Sequence, residues 1–317
     1  MGDATTGIEV SAGKAARGSV FERLSSTWER RAQVRSFRWD AAPAWDPSKD
    51  DFLPELLPFG DHPVFLAASP EQRARCLAAA WLAFNENQVG FELSIVIPTC
   101  VRLLQGHIPG ARDPATWATI SEALTDESYH IVLTQQGSEQ SRDRRGLRGL
   151  RIPRSAVVVE FERALAAQDH EWQRDLVLLA ATVVTEIFIH AHLRMMSYPP
   201  DSLQPLHGLV TRTHFTDELA HAGLFRAVLK ASYTEMDARQ RAFFASVVHL
   251  PVRWFADTDL SQWVAIFEQL EFPGRDEILA QASATRRELV DYSSLVNVCD
   301  ELEIEGVREQ LVAWSAT

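Results

Sequence analysis

The chain is poor in cysteine, and the few cysteines it has are not arranged for a disulfide framework or for zinc. Cys76, Cys100 and Cys299 are an odd number, and none has the C-x-x-C spacing of zinc and redox sites. The sequence therefore disfavours both kinds of site. It favours a reducing compartment, which we predict to be the cytoplasm.

Long apolar runs free of ionisable residues are missing as well. Residues 1–19 lack the apolar stretch of a signal peptide. The most apolar segment, residues 176–193, contains Glu186, His190 and His192, which a lipid-facing helix rarely carries. We therefore predict that this segment is a helix buried inside the protein, and we expect no membrane partner.

Basic residues are scarce relative to acidic ones. The 317 residues include 31 Lys and Arg against 43 Asp and Glu, so the formal net charge is −12. Such a balance argues against a nucleic-acid partner. The sequence also lacks the patterns G-x-G-x-x-G, G-x-x-x-x-G-K and G-x-S-x-G. It therefore indicates neither a nucleotide-binding fold nor a serine nucleophile.

Strand-like alternation is rare, whereas apolar residues recur at helical spacing from about residue 70 onward. Ser69-Pro70 is a helix start signal, and Pro98 predicts a kink in the first long helix. The stretch SEQSRDRRGLRG, residues 138–149, predicts a charged loop. The predicted helices are 71–104, 115–136, 154–167, 171–197 and 203–232, followed by several shorter ones within 237–313. The predicted class is all-α, a helical bundle.

The N-terminal part differs in composition from the rest. Residues 1–18 are small and polar, which predicts disorder. Residues 37–63 are rich in proline and aromatic residues, which predicts an extended arm laid over a core. We therefore predict a partly disordered N-terminal arm, residues 1–69, and one helical bundle domain, residues 70–317.

The pattern D-E-x-x-H occurs twice, at 126–130 (DESYH) and 217–221 (DELAH). On a helix, residues i and i+3 share a face, so each glutamate projects beside its histidine, as a pair that can bind iron or manganese. Asp126 and Asp217 precede these pairs, and we predict that each accepts a hydrogen bond from the histidine of its own motif. Two copies are expected by chance in about one of a thousand chains of this composition. The alternative is a pair of solvated helix faces.

Two further glutamates match the motifs in register. Glu92 lies 35 residues before Glu127, with the midpoint at the predicted turn Pro109-Gly110, and Glu186 lies 28 before His214, with the midpoint at position 200. Residues equidistant from the turn of a helical hairpin sit at one depth, where an unpaired carboxylate is costly unless a metal binds it. His214 is four residues before Glu218 and joins the same stripe. The predicted metal ligands are Glu92, Glu127, His130, Glu186, His214, Glu218 and His221.

The order Glu92, Glu127-x-x-His130, Glu186, His214-x-x-x-Glu218-x-x-His221 resembles the p-aminobenzoate N-oxygenase-like family of non-heme di-iron proteins, the arylamine oxygenases. The resemblance covers residues 80–230 closely. It implies a ferritin-like bundle with additional C-terminal helices, two iron ions, O2 as co-substrate and a homodimer. The implied activity is oxidation of a nitrogen atom of a small molecule in secondary metabolism.

The sequence departs from this family at the expected substrate pocket. Asn87 stands five residues before Glu92, where members that use arylamine acids carry a basic residue, and His192 replaces a small polar amide six after Glu186. The substrate therefore need not be p-aminobenzoate. The candidate pocket residues, for each of which core packing is the alternative, are Phe84, Asn87, Phe91, His192, Leu193 and Met196.

The leading hypothesis is an N-oxygenase that converts an amine to a hydroxylamine, nitroso or nitro product. It needs an external electron donor, a ferredoxin or a reductase. One alternative is oxidation of a hydrazine or hydroxylamine to an azo, azoxy or nitroso product at the same centre. A ferritin-like metal store, a manganese catalase and a scaffold without enzymatic activity are more distant alternatives.

Overall fold

The computed structural model describes residues 19–197, 201–256, 260–284 and 293–315, except for the side chains of 190–192 and 312–315. The predicted disorder of residues 1–18, the predicted turn at position 200 and the side chain of His192 lie outside the described residues. Within them, regular secondary structure is helical, apart from an isolated β-bridge between Asp50 and Leu203. The predicted all-α class is confirmed.

In chain order, the helices are α1 (Val20–Arg31), α2 (Gln33–Ser36), α3 (Pro63–Ala67), α4 (Pro70–Phe91), α5 (Ile97–Leu104), α6 (Pro114–Arg144), α7 (Ala156–Ala166), α8 (Glu171–Ser197), α9 (Pro205–Glu235), α10 (Ala238–Val247), α11 (Leu250–Ala256), α12 (Ser261–Leu270), α13 (Arg275–Ala284), α14 (Ser293–Glu301) and α15 (Val307–Ser315). A π turn (Glu92–Val96) joins α4 to α5, and two short 3-10 turns (Trp39–Ala41 and Pro54–Leu56) lie in the arm.

Four long helical segments form a ferritin-like bundle. The first is α4 continued through the π turn into α5, and the others are α6, α8 and α9. Helix α8 packs along α9, α4 and α5 pack along α6, and α6 also contacts α9. Helix α8 is long and apolar enough to cross a membrane, but 93% of its apolar window is buried inside the protein. It is therefore the central helix of the bundle, as its three ionisable residues predicted.

Helix α4 begins at the predicted start signal. The Ser69 side chain accepts a hydrogen bond from the Gln72 N–H, and the Gln72 side chain accepts one from the Ser69 N–H. This capping box satisfies donors that the first turn leaves free. The predicted kink at Pro98 takes the form of the π turn just before it, in which the Ile97 N–H donates to the Glu92 carbonyl. A proline cannot make the regular helical bond, and the wider turn accommodates it.

The turn between α5 and α6 contacts the end of α9. Gly110 has φ +95°, and a Cβ built on it would lie 2.5 Å from the Ser232 backbone nitrogen. The Ser232 hydroxyl donates to the Pro109 carbonyl at 2.6 Å. Glycine is therefore required here, both for the left-handed backbone and for the close approach.

The predicted charged loop at 138–149 is wrong over its first half, because α6 continues to Arg144. Tertiary hydrogen bonds support this extension. The Asn85 amide donates to the Ser138 hydroxyl at 2.8 Å, and the Ser141 hydroxyl donates to Asp51 at 2.6 Å. Burial of these serines against other parts of the chain outweighs the local preference of serine and charged residues for a loop.

The arm between α2 and α3 consists of extended stretches interrupted by its two 3-10 turns and by further turns within 46–49 and 57–62. The Asp50 N–H donates to the Ser202 carbonyl, and the Gln204 N–H donates to the Asp50 carbonyl. The core has two parts. The bundle core includes Ile95, Val184, Phe188 and Phe225, and the arm core includes Phe52, Phe59, Trp81 and Leu203. The arm is therefore bound to the bundle through its own apolar side chains.

Candidate metal centre

All seven predicted ligands are buried at one level of the bundle, and none is more than 1% exposed. Glu92 is the first residue of the π turn, and Glu186 comes from the middle of α8. Helix α6 supplies Glu127 and His130, and α9 supplies His214, Glu218 and His221. Four separate segments therefore contribute to one cluster.

The two motifs contact each other across the bundle. The His130 Nδ1 lies 3.2 Å from the Glu218 Oε1, and the His221 Nδ1 lies 2.8 Å from the Glu127 Oε1. The other Glu127 oxygen lies 3.4 Å from the His130 Nδ1. Both motif glutamates thus lie between the two histidines.

Glu92 and His214 complete one half of the cluster. The Glu92 Oε1 lies 3.2 Å from the His214 Nε2 and 3.9 Å from the His130 Nδ1. One ligand atom each from Glu92, His130 and His214 lies within 4.8 Å of the others. Glu92 therefore lies at the same depth as His130, as its distance from the turn of the hairpin predicted.

The other half contains His221 and Glu186. One ligand atom each from Glu127, His130, Glu218 and His221 lies within 4.8 Å of the others. Burial raises the pKa of Glu186 well above its usual value, and the nearby Glu218 and Glu127 carboxylates raise it further. Glu186 is thus the fourth carboxylate of the cluster, on the side of Glu127, Glu218 and His221.

Burial and the mutual charges of the cluster act on the pKa values of its members. Burial raises the pKa of Glu92 to about 7. Burial also favours a neutral imidazole at His221, but the neighbouring Glu127 and Glu218 carboxylates outweigh this and hold the pKa of His221 well above its usual value. A metal ion held by these groups would need them deprotonated.

Two contacts between the ligands are hydrogen bonds, His130 with Glu127 at 3.4 Å and His214 with Glu218 at 3.1 Å, but several other ligand atoms have no such partner in the part of the chain that the structure describes. Among the described residues, buried atoms with no hydrogen-bond partner include both oxygens of Glu92, the Glu127 Oε1, the Glu186 Oε2, the Glu218 Oε2 and the His221 Nδ1. The His221 Nδ1 is in this set although the Glu127 Oε1 is only 2.8 Å away. Unpaired buried polar atoms are costly and rare. Here their lone pairs converge on shared space, as metal ligands do.

The donor set fits two ions of iron or manganese. Carboxylate oxygens with imidazole nitrogens suit these metals. One glutamate from each of two helices, with Glu-x-x-His from each of two others, is the set found in carboxylate-bridged two-metal bundles. His214 adds a third imidazole to that set. The residues present therefore fit the predicted group.

Asp126 and Asp217 bind the outer histidine nitrogens, but not in the predicted pairs. The His221 Nε2 lies 3.3 Å from Asp126, and the His130 Nε2 lies 3.3 Å from Asp217. The prediction that each aspartate pairs with the histidine of its own motif is therefore wrong. Each histidine directs its Nδ1 to the cluster, so its Nε2 points toward the neighbouring helix, where the other aspartate lies.

Helices α1 and α2 supply contacts that the sequence analysis missed. The Trp28 indole N–H lies 3.0 Å from both carboxylate oxygens of Asp126, and the Gln33 N–H lies 3.3 Å from both oxygens of Asp217. The Arg31 guanidinium lies near both aspartates. The signal that predicts α1 is the Ser19-x-x-Glu22 capping box, which the structure forms.

The described pocket candidates are divided between the two parts of the core. Phe91 and Leu193 are buried in the bundle core, Met196 is buried in the arm core, and Phe84 packs against both. The structure does not bring these four side chains together as one lining. The substrate pocket therefore stays a prediction.

Asn87 is held by another amide. Its Nδ2 donates to the Gln262 Oε1 at 3.2 Å, and the Gln262 Nε2 donates to its Oδ1 at 2.7 Å. The Gln262 Nε2 also donates to the Pro153 carbonyl at 2.8 Å. The position that carries a basic residue in users of arylamine acids is thus occupied by a neutral, paired side chain.

A second buried polar cluster lies between the arm, α6 and α9. The His207 ring nitrogens lie 2.7 Å from the Asp51 carbonyl oxygen and 3.0 Å from the Ser141 hydroxyl. The Asp51 carboxylate accepts hydrogen bonds from Ser141 at 2.6 Å and from Arg145 at 2.8 Å. The His207 ring stacks on Trp81 with centroids 4.1 Å apart. This arm cluster shares helices with the metal candidates but is separate from them.

Comparison with known proteins agrees with the cluster geometry. Residues 14–303 match the family described as P-aminobenzoate N-oxygenase AurF. A curated relative, the 4-aminobenzoate N-oxygenase of Streptomyces thioluteus, is 30% identical over 308 residues, which cover 92% of this chain and 91% of that protein. The similarity therefore extends over nearly the whole chain.

Proposed function

Because the chain belongs to the p-aminobenzoate N-oxygenase family, we propose that it is a non-heme di-iron oxygenase that oxidises the nitrogen of an aryl amine. The family and the relative are oxygenases, which supports this activity over a metal store, a catalase or a hydrazine oxidase. Secondary metabolism, a cytoplasmic location, a homodimer and the division at residue 69 are parts of the same proposal.

The observation that carries the proposal is the set of buried ligand atoms that converge without hydrogen-bond partners. Two iron ions, when bound, supply Lewis acidity and electrons for the reaction with O2. Glu127 and Glu218, which lie between His130 and His221, would help to hold both ions. Glu92, His130 and His214 would hold one ion, and Glu186 and His221 would hold the other.

The chain's own residues prepare the ligands for this role. Asp126 and Asp217 hold the Nε2 protons of His221 and His130, which leaves each Nδ1 lone pair free for metal. Apolar neighbours of the ligands, including Ile95, are buried in the bundle core. They exclude water from the cluster and so limit side reactions.

The first oxidation step sets the demand for electrons. Conversion of an amine to a hydroxylamine by O2, with the second oxygen atom released as water, consumes two electrons and two protons. The sequence lacks the G-x-G-x-x-G pattern of nicotinamide- and flavin-binding folds. We therefore propose that an external donor, a ferredoxin or a reductase, delivers these electrons.

The proposal is tested with 18O2 and a panel of amines. Purified protein should contain about two irons per chain and, with a chemical reductant, should transfer 18O to the amine nitrogen, as detected by mass spectrometry. The panel should contain 4-aminobenzoate and its neutral amide, because Asn87 offers no positive charge to a carboxylate. Reactions without reductant and without O2 are the controls. Stoichiometric iron with no 18O in any product would contradict the proposal.

A further inference from the structure

We propose that Arg31, the last residue of α1, is a positioning residue that acts on both halves of the metal centre at once. It does so by holding Asp126 and Asp217 in place, so that each holds the outer nitrogen of one ligand histidine. This inference rests on the proposed metal centre. It extends that centre to the N-terminal arm, which contributes no ligand.

The geometry places one guanidinium between two carboxylates. The Arg31 Nη1 lies 3.6 Å from one oxygen of Asp126 and 3.8 Å from one oxygen of Asp217. Both aspartate side chains are fully buried, and that of Arg31 is 20% exposed. The Arg31 Nη1 makes no hydrogen bond within the described part of the chain. One guanidinium therefore acts on both aspartates, through its charge and through its position between them.

Charge balance explains why such a residue is needed. The cluster contains four glutamates and the two aspartates, which are six potential negative charges in a buried space. Two divalent ions would supply four positive charges, and Arg31 supplies a fifth. Arg31 is therefore a fixed counter-charge beside the two buried aspartates, neither of which is a proposed ligand.

Each neighbouring contact reaches one of the two aspartates, whereas Arg31 reaches both. The Trp28 N–H contacts Asp126 alone, and the Gln33 N–H contacts Asp217 alone. Through the crossed pairs, Trp28 acts on His221 and Gln33 acts on His130. Arg31 reaches both aspartates and therefore both histidines. Loss of Arg31 should weaken the binding of both ions. Loss of the Trp28 N–H should weaken the binding of only the ion on the His221 side.

Arg31 is also next to another acid, which is not part of the centre. Glu122, one turn before Asp126 on α6, has its pKa raised by burial and lowered in part by a hydrogen bond from Ser25 and by Arg31. Glu122 is less buried than the aspartates, and the Ser25 hydroxyl already donates to it at 2.7 Å. The guanidinium therefore has its fully buried partners in Asp126 and Asp217.

The test is a cobalt titration of metal-free protein. Co²⁺ alone is the probe, its visible absorption bands report each bound ion, and no turnover is needed. Arg31→Gln should lower the affinity for both ions about 10- to 100-fold, which is the range for residues that orient ligands. Arg31→Lys, which keeps the charge without the planar fork, should weaken both several-fold. Trp28→Phe should weaken one ion only.

Arg30→Gln is the matched control, because Arg30 is the exposed neighbour on the same helix. It should bind both ions as the wild type does. Far-UV circular dichroism checks that each variant is folded. If Arg31→Gln is not folded, Arg31→Lys decides the question by itself.

Each result has one meaning. An Arg31 variant that matches the wild type at either ion, or an Arg30→Gln variant that weakens both, overturns the role of Arg31. Wild-type protein that binds neither cobalt nor iron overturns the proposed metal centre. The two proposals therefore fail in distinguishable ways.

Discussion

The metal cluster and the arm cluster share two helices, α6 and α9, and some of their residue types. Each has a histidine of α9, a buried carboxylate and a residue of α6. In the arm cluster, the His207 ring nitrogens, the Asp51 carboxylate and the Ser141 hydroxyl all have hydrogen-bond partners. In the metal cluster, short distances leave several oxygens unpartnered among the described residues.

The difference shows that hydrogen-bond satisfaction, and not residue type, separates a structural cluster from a candidate site. Burial lowers the pKa of His207 to about 3, the hydrogen bond with the Asp51 carbonyl opposes this, and the nearby Arg145 charge lowers it further. At His221, the carboxylates outweigh burial and the pKa rises instead. The arm cluster finds its hydrogen-bond partners among the residues that the structure describes, whereas several atoms of the metal cluster do not. Four experiments test this contrast, from the largest expected effect to the smallest.

Removal of one bridging carboxylate should have the largest effect. Glu218→Gln keeps the size of the side chain but removes a charge shared by both halves of the centre. We expect loss of iron from both positions and at least about a 10³-fold loss of oxygenase activity, since the metal contributes several kcal/mol of charge stabilisation. Metal analysis and turnover measure these effects. Full iron content in this variant would remove Glu218 from the ligand set.

Metal removal should change stability only where the metal cluster is intact. Wild-type protein with metal at about a thousand times its dissociation constant should be about 4 kcal/mol more stable than metal-free protein. Denaturant unfolding with and without a chelator measures the difference. Glu218→Gln should lose this gain, and His207→Gln should keep it. Equal stabilisation of both variants would contradict the contrast between the clusters.

Disruption of the arm cluster should lower the stability of the protein without lowering its iron content. Asp51→Ala leaves the partly buried Arg145 without its carboxylate, and loss of one partner of a buried ion pair costs about 3 kcal/mol. We expect that loss in denaturant unfolding, with iron content unchanged. Loss of iron together with stability would show that the arm cluster also positions the ligands.

The pH dependence of stability gives the finest test. The pKa of His207 is about 3 in the folded protein, against 6.5 for an ordinary histidine. The contribution of His207 to stability is therefore complete above pH 6.5 and declines as the pH falls toward 3. Between pH 7 and pH 5 this residue alone lowers the free energy of unfolding by about 2 kcal/mol. The free energy of unfolding of metal-free His207→Gln should therefore fall by about 2 kcal/mol less than that of metal-free wild type over that interval. Parallel curves would contradict this interpretation of His207.

Much of the bundle and the meeting of the candidate ligands follow from local geometry, and the sequence therefore indicated both. Helical spacing places Glu127 beside His130, and the midpoint of a hairpin sets the depth of Glu92 whatever the side chains do. The bounds of α8 agree with the predicted 171–197, because the apolar run and its flanks define one continuous buried helix.

Features that depend on side-chain direction or on distant contacts could not be predicted in this way. The aspartate–histidine pairs cross between helices because the ring orientation, and not the spacing, decides which carboxylate faces the Nε2. The final two turns of α6 depend on Ser138 and Ser141 meeting the rest of the fold. Arg31 is close to the centre only because α1 packs on α6 and α9.

The crossed pairs mean that neither pentapeptide is a self-sufficient unit. A peptide of residues 205–235 carries His214, Glu218 and His221 but not the aspartate that orients His221. A designed helix that copies one motif would inherit the ligands without their support. Transfer of either motif with its supporting aspartate therefore requires both α6 and α9. A change in one motif has to be accompanied by a matching change in the other.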